Sequence, residues 1–315
     1  MSNVGVASGK VILVGEHAVV YGAPGLAMGI PRGARAVASK ITDACSVLEI
    51  PGWSINVREH DKGYDLGQAF AALCARLRDA GATDVVRVVA ESTLPPAAGL
   101  GCSAALGVAV ARAIVPSADA HVIHHAVMAW ESVFHGNPSG IDALVAARGG
   151  WVFFQRDTPA TEIFPGASLT FVVGYSGTSS RTRAMVEHVA CLANRAHIES
   201  VMHAIGELAC EGRRAIERGD VHALGEILSR NQICLSELQL STPAIERMCT
   251  VARSLGALGS KLTGAGGGGS VIALVKDASD AERVREGWHC EGFESFVVRR
   301  DCCEVNVGPE SEASP

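Results

Sequence analysis

No Cys-x-x-Cys pair occurs among the ten cysteines of this chain, and the only close pair is the adjacent Cys302 and Cys303. That spacing disfavours a zinc site or a disulfide framework. Cys74, Cys191, Cys210 and Cys249 sit in apolar helical stretches, as expected for reduced thiols in a cytoplasmic protein. Positive charge is also short: 27 Lys and Arg against 33 Asp and Glu leave a formal charge of -6. Pairs such as Arg213-Arg214 and Arg299-Arg300 therefore read as solvated faces, and no nucleic-acid partner is expected. The longest uncharged run, residues 92–111, is broken by Pro and Gly, which excludes a membrane helix there. The N-terminus lacks a charged-then-apolar signal pattern, and no internal repeat is visible. A P-loop ending in Gly-Lys-Ser/Thr is missing too, because Gly9-Lys10 runs into Val11.

What is present is an ordinary globular composition. With 315 residues, 48% of them hydrophobic, the chain supports one large or two modest domains with a sizeable core. Residues 4–14 read as a strand interrupted at Ser8-Gly9, and 35–40, 46–50 and 54–57 as further strands. Leu66, Phe70, Leu73 and Leu77 share one helical face, with Gly81 as the stop. A strand over 85–90 leads to a buried helix over 106–115, and Ser117 is the expected N-cap of a helix reaching Phe134. A short helix over 141–147 follows the turn Asn137-Pro138-Ser139-Gly140. The proline-bearing stretch 158–166 is the expected domain boundary, giving domains 1–162 and 163–315. After it come a strand over 169–175, a helical run over 182–255, strands over 259–262 and 270–275, a helix over 281–288, a strand over 295–298 and a polar tail from Val307. These elements describe two α+β domains.

Four stretches are unusual for pure structure. Pro95-Pro96-Ala97-Ala98-Gly99-Leu100-Gly101-Cys102-Ser103-Ala104-Ala105 feeds a tight loop into a helix N-terminus, where unpaired N–H groups and the helix dipole favour a phosphate. Gly99 and Gly101 allow close approach of the main chain, and the Ser103 hydroxyl can reach a phosphate or its metal. The run also fits the loose dinucleotide fingerprint with Asp119 downstream. The flanking prolines and Pro116-Ser117 disfavour that reading. Residues 9–22 set Lys10 within an apolar strand, with Glu16-His17 in the turn after it. Taken alone, Lys10 reads as an edge-strand charge. Residues 135–142 place Asp142 just inside a helix, where an acid is also a routine dipole partner. Lys261 to Ser270 is a glycine loop entering a strand, built for close backbone contact rather than for a dinucleotide. His121, His124 and His125 form a histidine cluster that no motif ties to a metal.

Together these stretches resemble the motifs of the GHMP small-molecule kinases, most closely the mevalonate kinase branch. The first motif matches 10–22, the second 95–105 and the third 261–270, while 135–142 resembles the form particular to that branch. Ser241-Thr242-Pro243 and Lys261-Leu262-Thr263 also stand where the branch has similar residues. The resemblance implies an α+β GHMP kinase fold, with a ribosomal-protein-S5-like N-terminal domain and a ferredoxin-like C-terminal domain. It implies ATP and mevalonate as substrates, Mg²⁺ as cofactor, and a homodimer in the cytoplasm. By position, Pro96, Ala97, Ala98, Gly99, Leu100, Gly101, Cys102, Ser103 and Ala104 are expected to bind ATP, with Ser103 and Glu131 on the metal. Asp142 is the expected base and Lys10 its partner, and Lys10, Glu16, His17 and Asp142 are expected to border the acceptor. Cys102 departs from the family's usual Ser. At a helix N-terminus its thiol is expected to be acidified and reactive.

Overall fold

The computed structural model describes residues 2–61, 63–136, 138–180 and 182–302. Asn137, Cys303 and the tail from Val307 lie outside them. In chain order the elements are β1 (Ser2–Val14), β2 (Gly25–Lys40), β3 (Val47–Ile50), β4 (Ile55–Arg58), α1 (Asp65–Asp79), β5 (Val86–Ser92), α2 (Cys102–Ile114), α3 (Ala120–His135), α4 (Ile141–Arg148), β6 (Trp151–Phe154) and β7 (Thr161–Ile163). Then follow β8 (Leu169–Tyr175), α5 (Thr182–Ala190), α6 (Arg195–Arg218), α7 (Val221–Glu237), α8 (Pro243–Ser254), β9 (Gly259–Thr263), β10 (Ser270–Val275), α9 (Ala278–Cys290) and β11 (Ser295–Arg300).

The first sheet runs β4-β3-β5-β2-β6-β7, with β1 also pairing β2. All its pairs are antiparallel except β3 with β5. The pairing of β1 with β2 slips between Ser8 and Gly9, the interruption visible in the sequence, and so leaves Pro31 and Arg32 bulged out of register. The second sheet, β11-β8-β10-β9, is antiparallel throughout. Numbered within its own unit, that order is 4-1-3-2 with helices after strands one and three, which is the ferredoxin-like arrangement. The chain passes from one sheet to the other within residues 164–168, after β7 has joined β6.

Helix α2 is apolar around most of its surface because it is enclosed around most of it. Small residues such as Ala104, Ala105, Ala109 and Ala113 let it lie against β1 and β2 on one flank and against α3 on the other. It starts four residues earlier than its apolar run predicts, since the cysteine and serine of the loop already belong to its first turn. The N-cap of α3 is Asp119, whose carboxylate accepts from Val122 N at 2.8 Å, and not Ser117. An aspartate two residues closer wins, and the acid that mimicked a dinucleotide fingerprint is a cap contributing about 1 kcal/mol. Strands β6 and β7 and the extension of β2 back to Gly25 carry no alternation that marks them in the sequence. Among the described residues no helix is long and apolar enough to cross a membrane.

Candidate active site

Strand β1 carries Lys10 into the interior, and the chain then turns sharply, with His17 at φ 60°. Lys10 is only 3% exposed and its ammonium lies 3.1 Å from Asp142 Oδ1 at the start of α4. It is therefore no solvated edge charge. Lys10 N also donates to Leu100 O at 2.9 Å, so the glycine loop before α2 is pinned to β1 directly beside this pair. The approach is so close that a Cβ on Gly101 would fall 2.8 Å from Lys10 Cγ, which explains why glycine stands there.

Gly101, in the left-handed region, caps α2 without any side-chain acceptor, leaving the first-turn N–H groups available to an anion. Across the cleft the loop after β9 closes on the same stretch: a Cβ on Gly99 would lie 2.7 Å from Thr263 O, and Ser270 Oγ donates to Ala98 O at 2.8 Å. Two glycine-rich loops thus meet backbone to backbone. The floor they form can receive an anion such as a polyphosphate.

Beside that floor, Ser103 Oγ donates to Glu131 Oε1 at 2.5 Å, and Trp130 Nε1 holds Ser103 through its carbonyl and hydroxyl, both at 3.1 Å. Glu131 is 2% exposed, and its other oxygen faces His135 Nε2 at 3.4 Å. Burial alone would lower the His135 pKa. The hydrogen bond and charge of Glu131, with Asp142 further away, outweigh it and raise the value. A half-buried hydroxyl beside a buried carboxylate gives suitable hard-oxygen donors for Mg²⁺, with phosphates and waters filling the remaining positions. Among the described residues no cluster of three or more His, Cys, Asp and Glu offers a rival metal site, the histidines of α3 included.

These groups surround one cavity of about 310 Å³. Lys10, Glu16, His17, Glu131 and Asp142 line it, as do Ala97, Ala98, Gly99, Gly101, Cys102, Ser103 and Ala104 of the loop and helix start. Pro96 and Leu100 do not: Pro96 is exposed, and Leu100 is buried with its carbonyl on Lys10. Glu16 is 1% exposed and ion-paired with Lys261 of β9, while burial raises its pKa above the usual carboxylate range. His17 Nε2 donates to Ala265 O at 2.8 Å, and burial lowers its pKa.

Cys102 overturns the expectation of an acidified thiol. Its sulfur turns inward, 3.3 Å from Ser92 Oγ and 3.7 Å from Leu94 O, and burial pushes its pKa up to about 11. A helix N-terminus acidifies only a sulfur presented to the open N–H groups. The sequence reading also missed the start of α5, where Thr182, Arg183 and Val186 form another wall of the cavity, and it gave no role to Lys261. The start of α5 carries no local signal, because it reaches the cavity only through packing of the second unit, and Lys261, though inside the third motif, meets Glu16 only through that same packing.

Residues 66–150 match the family model of the GHMP kinase N-terminal domain and residues 213–295 that of the GHMP kinase C-terminal region. The chain belongs to the GHMP kinases. Within that family, the mevalonate kinase of Aeropyrum pernix is 36% identical over 298 residues, covering 89% of this chain and 90% of the relative. The Methanococcus jannaschii mevalonate kinase structure superposes with a TM-score of 0.80 at 22% identity, covering 96% of this chain and 98% of that one. A Streptococcus pneumoniae phosphomevalonate kinase complex reaches 0.81 at 18% identity, covering 95% and 100%. Shape alone thus gives the fold and does not separate the two acceptors.

Proposed function

We propose that this protein phosphorylates the C5 hydroxyl of mevalonate with ATP, giving 5-phosphomevalonate and ADP. The observation that carries the reading is the Lys10–Asp142 pair at 3.1 Å, set against the phosphate loop in a chain 36% identical to a mevalonate kinase. Phosphoryl transfer asks a protein to hold two oxygens in line and to neutralise charge. Asp142 accepts the proton of the attacking hydroxyl. Lys10 pairs with Asp142 and stabilises the negative charge on the phosphoryl group in transit. The α2 N-terminus and the loop from Ala97 to Ser103 bind the ATP phosphates through main-chain N–H groups. Ser103 and Glu131 would hold Mg²⁺, which when bound neutralises the phosphate oxygens. Glu16 and His17 border the acceptor, and the domains divide near residue 162.

We further propose a cytoplasmic homodimer; the free thiols, with no disulfide among the described residues, support a reducing compartment. Light scattering at twice 32.7 kDa is the expected mass. The deciding experiment measures ADP release with mevalonate, phosphomevalonate, homoserine and galactose in parallel. Mevalonate alone is expected to support rapid turnover; equal or faster turnover with phosphomevalonate overturns the acceptor.

A further inference from the structure

Strand β9 belongs to the second sheet, yet its alternate residues reach across to β1 of the first. Thr263 Oγ1 accepts from Ile12 N at 2.8 Å and donates to Ile12 O at 3.0 Å, and Ala265 O holds His17. Lys261, on the same face, is fully buried and bonds to Ile12 O at 3.4 Å, to Leu262 O at 2.5 Å and to Glu16 Oε1. An ammonium has three donors, and all three are used. Lys261 therefore has nothing left to offer a substrate, and it does not line the cavity.

Glu16 does line it. Its Oε1 is occupied by Lys261, whereas Oε2 is buried with no partner in the protein. Among the described residues that line the cavity, only Glu16 Oε2 and His135 Nδ1 are buried side-chain polar atoms left without a hydrogen bond. An ionised carboxylate accepts hydrogen bonds and cannot donate. Its complement on a hydroxy-acid acceptor is a hydroxyl, since a second carboxylate there would be repelled.

We infer that Lys261 is a positioning residue: it neutralises Glu16 and fixes one of its oxygens so that the other accepts a hydroxyl of the acceptor substrate. The inference rests on the phosphotransfer reading above and gives the second unit a part in acceptor recognition. Without Lys261 the buried carboxylate has lost its ion-pair partner and takes up a proton, because burial already raises its pKa. The acceptor oxygen then becomes a neutral acid in an unfixed orientation.

The test is a double-mutant cycle of Glu16→Gln and Lys261→Met, read as kcat and as KM for each substrate. Lys261→Met is expected to lower kcat/KM for mevalonate about tenfold to a hundredfold, the range for a hydrogen bond to a charged group, while KM for ATP stays within about twofold. Adding Lys261→Met to Glu16→Gln is expected to change kcat/KM for mevalonate by less than about threefold, because the group it positions has already lost its charge. A residue that only stitches the sheets together would instead lower it in both backgrounds alike. That outcome, or an equal rise in KM for ATP, overturns the inference. Should Lys261→Met fail to fold, the double variant, which swaps the buried pair for neutral groups of similar size, carries the comparison with Glu16→Gln. If the wild type turns over a different alcohol, the proposed substrate falls, and the same cycle read on that alcohol decides the role of Lys261.

Discussion

Cys102 stands in the stretch proposed to bind the ATP phosphates, and alkylating it is the obvious way to seek a reactive thiol there. With its pKa pushed up to about 11, roughly one such thiol in a thousand is ionised near pH 8, against about a quarter for an ordinary cysteine. The greater nucleophilicity of a more basic thiolate returns about tenfold, so electrostatics alone slows the reaction roughly twentyfold. Its sulfur also lies between Ser92 and Leu94, in a residue 7% exposed, so access slows it further. Cys191 and Cys290 are exposed and open to the reagent. Treated with iodoacetamide near pH 8, the enzyme is expected to label at those positions first and keep its activity while Cys102 stays free. MgATP then makes no difference, and Cys102→Ser behaves as the wild type. Peptide mapping by mass spectrometry against time reads each rate. Labelling of Cys102 within about fivefold of the Cys191 rate, with activity lost in step and MgATP protecting, would refute the inward placement of this thiol.

Asp142→Asn is expected to lower kcat at least about a hundredfold with nucleotide affinity retained, since a positioned base contributes that much and the phosphate loop is untouched; stopped-flow chemistry and nucleotide titration separate the two. Glu131→Gln should raise the Mg²⁺ concentration needed for half-maximal rate, because an amide is a poorer ligand than a carboxylate. Gly99→Ala forces a Cβ to 2.7 Å from Thr263 O in a left-handed backbone, so it should raise KM for ATP through displacement of the loop. A pH test concerns Glu246 at the start of α8. Burial raises its pKa, but hydrogen bonds from Ser241, Gln232 and Ser236 outweigh this and lower it. A depressed carboxylate stabilises the fold above its unfolded pKa and ceases to as pH falls through the folded one. Thermal scans should therefore show Glu246→Gln melting below the wild type at neutral pH, with the gap closing below about pH 4.

By itself the sequence determined the type and order of most elements, because helix and strand periods, caps and glycine stops are local properties of the backbone. It also marked the stretches that meet at the cavity, since close main-chain approach demands glycine and the proposed phosphotransfer calls for Lys, Ser, Glu and Asp at fixed places. Tertiary structure decided what each environment does to a charge. Lys10, read alone, passes for an edge-strand lysine until α4 brings Asp142 to 3.1 Å, and Cys102 passes for a reactive thiol until its sulfur turns into the core. Asp119 is a cap only because α3 begins beside it, and Lys261 meets Glu16 across 245 residues of chain. Burial and long-range contact set pKa, partner and orientation, and no window of neighbouring residues encodes them.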